Sequence, residues 1–150
     1  MNDQQSIGRL ISIINRMFSV YLNNQLKNPS IGIGQVRLVR FIKEHDGCYQ
    51  QEICNHFMMD KGTTTSLLSN LEKNGFIRRE RNSVDSRLKN IFLTKQGIDF
   101  ETRISVMLKN WTALLLKDLT IEERESSYYL LHKMVDNIAY LKNIKTAEKE

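Results

Sequence analysis

Five cations fall within twelve residues: Arg78, Arg79, Arg81, Arg87 and Lys89. From Lys73 to Lys89 six cations stand against two anions, Glu80 and Asp85, a local net charge of +4. The stretch around them, FIRRERNSVDSRLKNIFLTKQG from Phe76 to Gly97, reads as two short strands at about 76–81 and 88–93 with a polar turn between. Ile77, Ile91 and Leu93 supply an inward face. A charged tip this short has no core of its own, and a nucleic-acid phosphate backbone is the first partner that such a charge suits. Arg87 at the tip has the reach for a narrow minor groove, where the negative potential is enhanced. Asp85, two residues earlier, cannot approach DNA by charge. It can clamp an arginine with a bidentate pair and fix the tip, while also forming the turn. The candidate residues of this wing are Arg79, Arg81, Asn82, Asp85, Arg87 and Lys89.

A second set precedes the hairpin. Asp60 stands at an N-cap position, a helix is expected over 61–74, and Gly75 closes it. Placing Leu67, Leu68 and Leu71 inward turns Gly62, Thr65, Ser66, Ser69 and Lys73 outward, with Thr63 and Asn70 at the edge. Short hydroxyls hydrogen-bond base edges or phosphates, a glycine permits close backbone approach, and a helix N-terminus offers free N–H groups to phosphate. Lys61, Gly62, Thr63, Thr65, Ser66, Ser69 and Asn70 are the candidate reading residues. A Ser/Thr-rich solvated face would look the same in isolation, and the adjacent basic hairpin tips the balance toward DNA.

The elements that must position these residues follow from periodicity. Ile7, Leu10, Ile11, Ile14, Phe18, Tyr21 and Leu22 recur at helical spacing, giving a long helix over 4–26. Asn28, Pro29, Ser30, Gly32 and Gly34 interrupt it. Helices are expected at about 35–45 and 50–57, the first ended by Asp46-Gly47. Thr94 caps a long helix to about Lys117, with Ile98, Ile104, Leu108, Trp111 and Leu115 as its inward stripe. Thr120 and Glu123 match a capping box, and the final helix should reach about Ile144. The tail TAEKE should fray. The fold class is therefore mainly α: a winged helix-turn-helix over 33–97 with long terminal helices over 4–26 and 98–144, in one domain spanning 1–150. The apolar faces at Ile7, Leu10, Ile11 and Ile14, and at Leu131, Met134, Val135 and Ile138, exceed what the small winged domain can cover. They are expected to bury against a second copy, making a homodimer.

Composition narrows the classes. The 150 residues carry a net charge of +5 and a pI of about 9.3, a moderate bias toward polyanions. Neither a secretory leader nor a run of about 20 apolar residues is visible, so a cytoplasmic location without membrane contact is expected. Cys48 and Cys54 are too few for a disulfide framework. Cys54 reads as a packed thiol, and Cys48, beside Gly47, leaves a thiol-based redox switch as an alternative. His45, His56 and His132 are scattered singly, Met58, Met59 and Trp111 read as core, and no phosphate loop or catalytic set is present. No enzyme activity, metal or cofactor is expected.

The ordered set DKGTTTSLLSNLEKNGFIRRERNSVDSRLKNIFLTKQG resembles the MarR family of bacterial transcription regulators. The Asp85-x-Arg87 pair, the Leu93-Thr94…Gly97 ending and Leu119-Thr120…Glu122-Glu123 before an apolar helix carry the likeness across nearly the whole chain. The resemblance implies a homodimer on a pseudo-palindromic double-stranded DNA operator, commonly a repressor released by a small aromatic or phenolic effector. Two departures bear on specificity: Ser66 and Asn70 are neutral where many members carry arginine, and Gly34 stands where proline is common. Oxidant-sensing members keep a reactive cysteine near the start of the first helix, and this chain has none there. The competing class is a winged domain reused for protein interaction, for which a wing this basic has no need.

Overall fold

The computed structural model describes residues 6–28 and 30–141. Among them the order is α1 (Ile7–Leu26), α2 (Ile33–Glu44), α3 (Gln50–Phe57), α4 (Lys61–Lys73), β1 (Ile77–Arg81), β2 (Lys89–Leu93), α5 (Lys95–Leu115) and α6 (Ile121–Ile138). By its internal contacts the chain divides after Trp111 into two compact units.

The first unit is built around α4 and the hairpin. Asp60 caps α4: its carboxylate accepts from the Thr63 N–H at 2.8 Å and from the Thr63 hydroxyl at 2.6 Å. At the other end Gly75 takes the left-handed conformation, φ +74°. The Phe76 N–H then reaches Leu71 O and the Gly75 N–H reaches Glu72 O, each at 2.9 Å, the paired closure of a glycine-ended helix. The chain passes directly into β1. The antiparallel register pairs Ile77 with Leu93, Arg79 with Ile91 and Arg81 with Lys89. A short bridge joins Cys48 to Ile91, so the loop between α2 and α3 is bound to the wing's inner strand.

Thr94 returns the chain to the end of α4. Its N–H donates to Phe76 O at 3.0 Å, its hydroxyl donates to Gly75 O at 2.6 Å and accepts from Gly97 N–H at 3.0 Å. A Cβ on Gly97 would lie 1.9 Å from Phe76 O, which excludes every other residue there without backbone movement. This contact sets the rotation of α5 and puts Gly97, Phe100 and Ile104 inside. The expected stripe is corrected accordingly. Ile98 and Leu115 are both exposed, at 44 %, while Ile104 is fully buried.

The core gathers Leu22 and Leu26 of α1, Val36, Val39 and Ile42 of α2, Ile53, Leu68, Leu71, Ile77, Ile91, Phe100 and Ile104. Phe76 stacks on Phe100 at 4.4 Å. Phe18 and Tyr21 both lie 5.4 Å from Trp111, and the Tyr21 hydroxyl donates to Met107 O at 3.2 Å, which seats the second half of α1 on α5. The first half of α1 stays open: Ile7, Leu10, Ile11 and Ile14 are exposed. Two boundaries differ from expectation. Gly32 is the N-cap of α2 rather than part of a break, its N–H donating to Gln35 Oε1 at 3.0 Å, and Gly34 is inside the helix.

In the second unit, α6 opens with the expected box. The Thr120 N–H donates to Glu123 Oε2 at 2.8 Å and Thr120 Oγ1 accepts from Glu123 N–H at 3.3 Å. α6 runs from Ile121 to Ile138 and has no buried residue. Leu131, Val135 and Ile138 are exposed and Met134 is half-buried. The expected end near Ile144 and the fraying tail lie outside the described residues. No helix among the described residues is long and apolar enough to cross a membrane.

Candidate nucleic-acid interface

α4 is held from one side and open on the other. Leu68, Leu71 and Thr64 are fully buried, and Leu67 is only half-buried. Thr64 is the polar member of the core: its hydroxyl donates to Asp60 O at 2.9 Å and accepts from the Cys54 thiol at 3.3 Å. Lys61, Gly62, Thr63, Thr65, Ser66 and Ser69 are exposed, and Asn70 is at the half-buried edge. Thr63 spends its hydroxyl hydrogen on Asp60, and that bond, with the Thr63 N–H, holds the Asp60 carboxyl below its ordinary range. The Ser66 and Ser69 hydroxyls are free to turn toward a ligand.

The wing sorts its cations. Arg78 pairs with Glu80 and lies over the Phe92 ring at 4.6 Å from its centroid, so it is occupied on the outer face. Arg79, expected at the DNA surface, is turned inward. Its Nε lies 3.2 Å from Glu72 Oε2 and its Nη2 has no hydrogen-bond partner. Arg81 and Lys89 are both exposed and stand directly opposite each other across the strands. Like charges in that position repel unless an anion lies between them. At the tip, Arg87 Nε and Nη2 donate to the two Asp85 oxygens at 3.2 and 3.3 Å, and the Arg87 N–H donates to Asp85 Oδ1 at 3.0 Å. This contact lowers the Asp85 pKa and holds the guanidinium in place although its side chain is 89 % exposed.

Asn82 has a different role from the expected one. Its Nδ2 donates to the Tyr49 hydroxyl at 2.9 Å and to Asn90 Oδ1 at 3.0 Å. Its Oδ1 accepts from the Val84 and Asp85 N–H groups at 2.8 and 2.9 Å. An amide has two donor hydrogens and two acceptor lone pairs, and all four are used. The Asn82 side chain is therefore fully engaged as a strut within the wing. Asn90 extends the strut, donating to Gly47 O at 2.8 Å.

Between α3, the start of α4 and the wing lies a cleft of about 300 Å³, lined by Tyr49, Gln50, Gln51, Lys61, Arg79, Arg87, Leu88, Lys89 and Ile91. Sequence reasoning missed Tyr49, Gln50 and Asn90. Only the partners they meet across the fold reveal them, and nothing in local spacing signals that meeting. Both cysteines are buried. Burial, reinforced by the Glu52 charge, pushes the Cys48 thiol up to about 11. No group of three or more His, Cys, Asp or Glu suited to a metal occurs among the described residues.

A capped helix with an outward hydroxyl face, set beside a basic two-stranded wing, defines a winged helix-turn-helix protein. Residues 31–89 match the model described as "MarR family". The HTH-type transcriptional regulator BilQ of Clostridium symbiosum is 25 % identical over 131 residues, covering 87 % of this chain and 91 % of that protein. The crystal structure of MarR superimposes with a TM-score of 0.84 at 26 % identity, covering 95 % of this chain and 97 % of that one. The Staphylococcus aureus MepR–DNA complex shares the fold, with a TM-score of 0.77 at 24 % identity over 91 % of this chain and 99 % of that one. Residues 31–89 thus carry the helix-turn-helix and wing of the MarR family, and the chain resembles MarR-type winged helix-turn-helix transcription regulators along most of its length.

Proposed function

We propose that the chain works in the cytoplasm as a homodimer that recognises a pseudo-palindromic duplex, represses transcription there and is released by a small aromatic or phenolic acid. The cross-strand pair Arg81 and Lys89 carries the reading. A fold that places two cations face to face at an exposed site is relieved by a bound polyanion. Ser66 and Ser69, in the second and third turns of α4, face outward on the helix with which a helix-turn-helix reads the major groove. MepR, of the same fold, was solved bound to DNA. The open faces of α1 and α6 supply apolar surface for the second copy. The cleft beside the wing joins four cations, Lys61, Arg79, Arg87 and Lys89, to the apolar atoms of Leu88 and Ile91, a lining suited to an aromatic carboxylate.

The experiment is a salt titration of binding to the chain's own upstream DNA. If two subunits together neutralise six or more phosphates, log K falls with log salt at a slope of roughly −5 or steeper. Affinity that barely changes between low and physiological salt rejects the DNA reading. A panel of aromatic carboxylates and phenols tests release: linkage requires that DNA weaken the acid's binding by the factor by which the acid weakens DNA binding.

A further inference from the structure

One contact between α3 and α4 sets which hydrogen-bonding groups the reading helix can show. Gln50, the first residue of α3, directs its Nε2 to Thr65 Oγ1 at 2.7 Å and to Lys61 O at 3.2 Å. The Thr65 Oγ1 also lies 2.7 Å from Lys61 O. The carbonyl can only accept, so the single hydroxyl hydrogen of Thr65 points to Lys61 O. Thr65 Oγ1 then accepts from Gln50, and both hydrogens of the Gln50 amide are used. What remains for an incoming ligand is one lone pair on Thr65 and the Gln50 Oε1. The pair keeps acceptors and has no donor left.

We infer that Gln50 and Thr65 form a single specificity-determining pair that accepts from the exocyclic amino group of an adenine or a cytosine in the major groove. The inference rests on the DNA reading proposed above. In that groove adenine N6 and cytosine N4 are the donors, while guanine O6 and N7 and thymine O4 are acceptors that this pair repels. Ser66, one residue along, keeps a hydroxyl that turns either way and imposes no such rule. Gln50 enters the reading surface from outside α4, and Lys61, whose carbonyl locks the pair, places a cation beside it for the adjacent phosphate.

The test is selection from random duplexes with wild type, Thr65→Val, Gln50→Met and Thr65→Ser, followed by binding to the selected site. Wild type and Thr65→Ser should return the same half-site, with adenine or cytosine at one position whose identity is relaxed in Thr65→Val and in Gln50→Met. Replacing that adenine by purine, or that cytosine by 2-pyrimidinone, removes the amino group. Wild type should then lose about three- to tenfold in affinity, the worth of one hydrogen bond, and Thr65→Val should lose nothing further. If the two variants return the wild-type motif unchanged, the contact is only a tie between helices and the inference fails while the DNA reading stands. Guanine or thymine at the affected position also overturns it. Selection that yields no motif for wild type removes the DNA reading and this inference together. Should a variant fail to fold, the amino-lacking bases decide the matter on wild type alone.

Discussion

At the scale of single residues, Arg87 is a cation held in readiness. The Asp85 pair fixes its direction while leaving it open to solvent, so little side-chain entropy is lost on contact. Arg87→Ala should weaken binding to selected and unrelated duplexes by similar factors and reduce the salt slope by about one per subunit, because such a contact positions without reading. Filter-binding or anisotropy titrations at several salt concentrations measure both. Ser66→Ala should instead leave non-specific binding unchanged and alter the selected motif. Cys48 is the opposite case, a nucleophile switched off. With its thiol pushed up to about 11, almost no thiolate exists at pH 8, and a thiol-specific reagent should label native protein only at the rate of unfolding. The sign of the linkage follows from the raised value. Neutral Cys48 contributes stability fully below the unfolded thiol's pKa, and that contribution is lost as pH rises through about 11. Rapid stoichiometric labelling at pH 8 would restore the redox reading.

At the scale of elements, the wing is a hairpin that cannot hold its own shape and borrows it from the loop between α2 and α3. Asn82, Asn90, Tyr49 and Gly47 make the connection. Asn82→Ala should therefore lower DNA affinity even though Arg87 is intact, destabilise the fold by about 1–3 kcal/mol, and open 82–88 to proteolysis. Urea melts and limited proteolysis check it. An Asn82 variant that binds DNA like wild type would return the residue to the ordinary surface. The cap on α4 sets an acid limit. Asp60 and Asp85 both have lowered values, so their contributions hold at neutral pH and are lost as pH falls through those lowered values. DNA binding should be indifferent to them from pH 6 to 8 and fail in acid. The elements were legible because each announces itself locally: Asp60 and Thr120 as caps, Gly75 as a stop, alternation around Ile77, Ile91 and Leu93. The rotation of α5 was not, since the contact of Gly97 with Phe76 O joins residues twenty-one positions apart and leaves no periodic trace. The Asn82 strut escaped for the same reason. An asparagine in a basic turn looks like a ligand until its four partners are in view.

At the scale of the whole molecule, the open apolar face of α1 and α6, which has no buried residue, are the surfaces that the proposed pairing would cover. Side chains such as Leu10, Ile11, Leu131 and Ile138 gain about 1.5–3 kcal/mol each when fully covered, and several on each of two helices suffice for a stable pair. Light scattering at micromolar concentration should give a dimer. Removing residues 1–22 should cost both the pairing and part of the fold, because Phe18, Tyr21 and Leu22 pack on the core of the same chain. A folded, monodisperse monomer would count against the assembly. The burial of Thr64 has one more consequence. It anchors α4 from within, together with Leu68 and Leu71, so Ser66 and Ser69 add nothing to the packing of the fold. Substitutions at those two positions are then nearly free of any stability toll. A lineage can drift to a new operator, or a laboratory library can be steered to one, by changing Ser66 and Ser69 to other helix-compatible residues while the fold is kept.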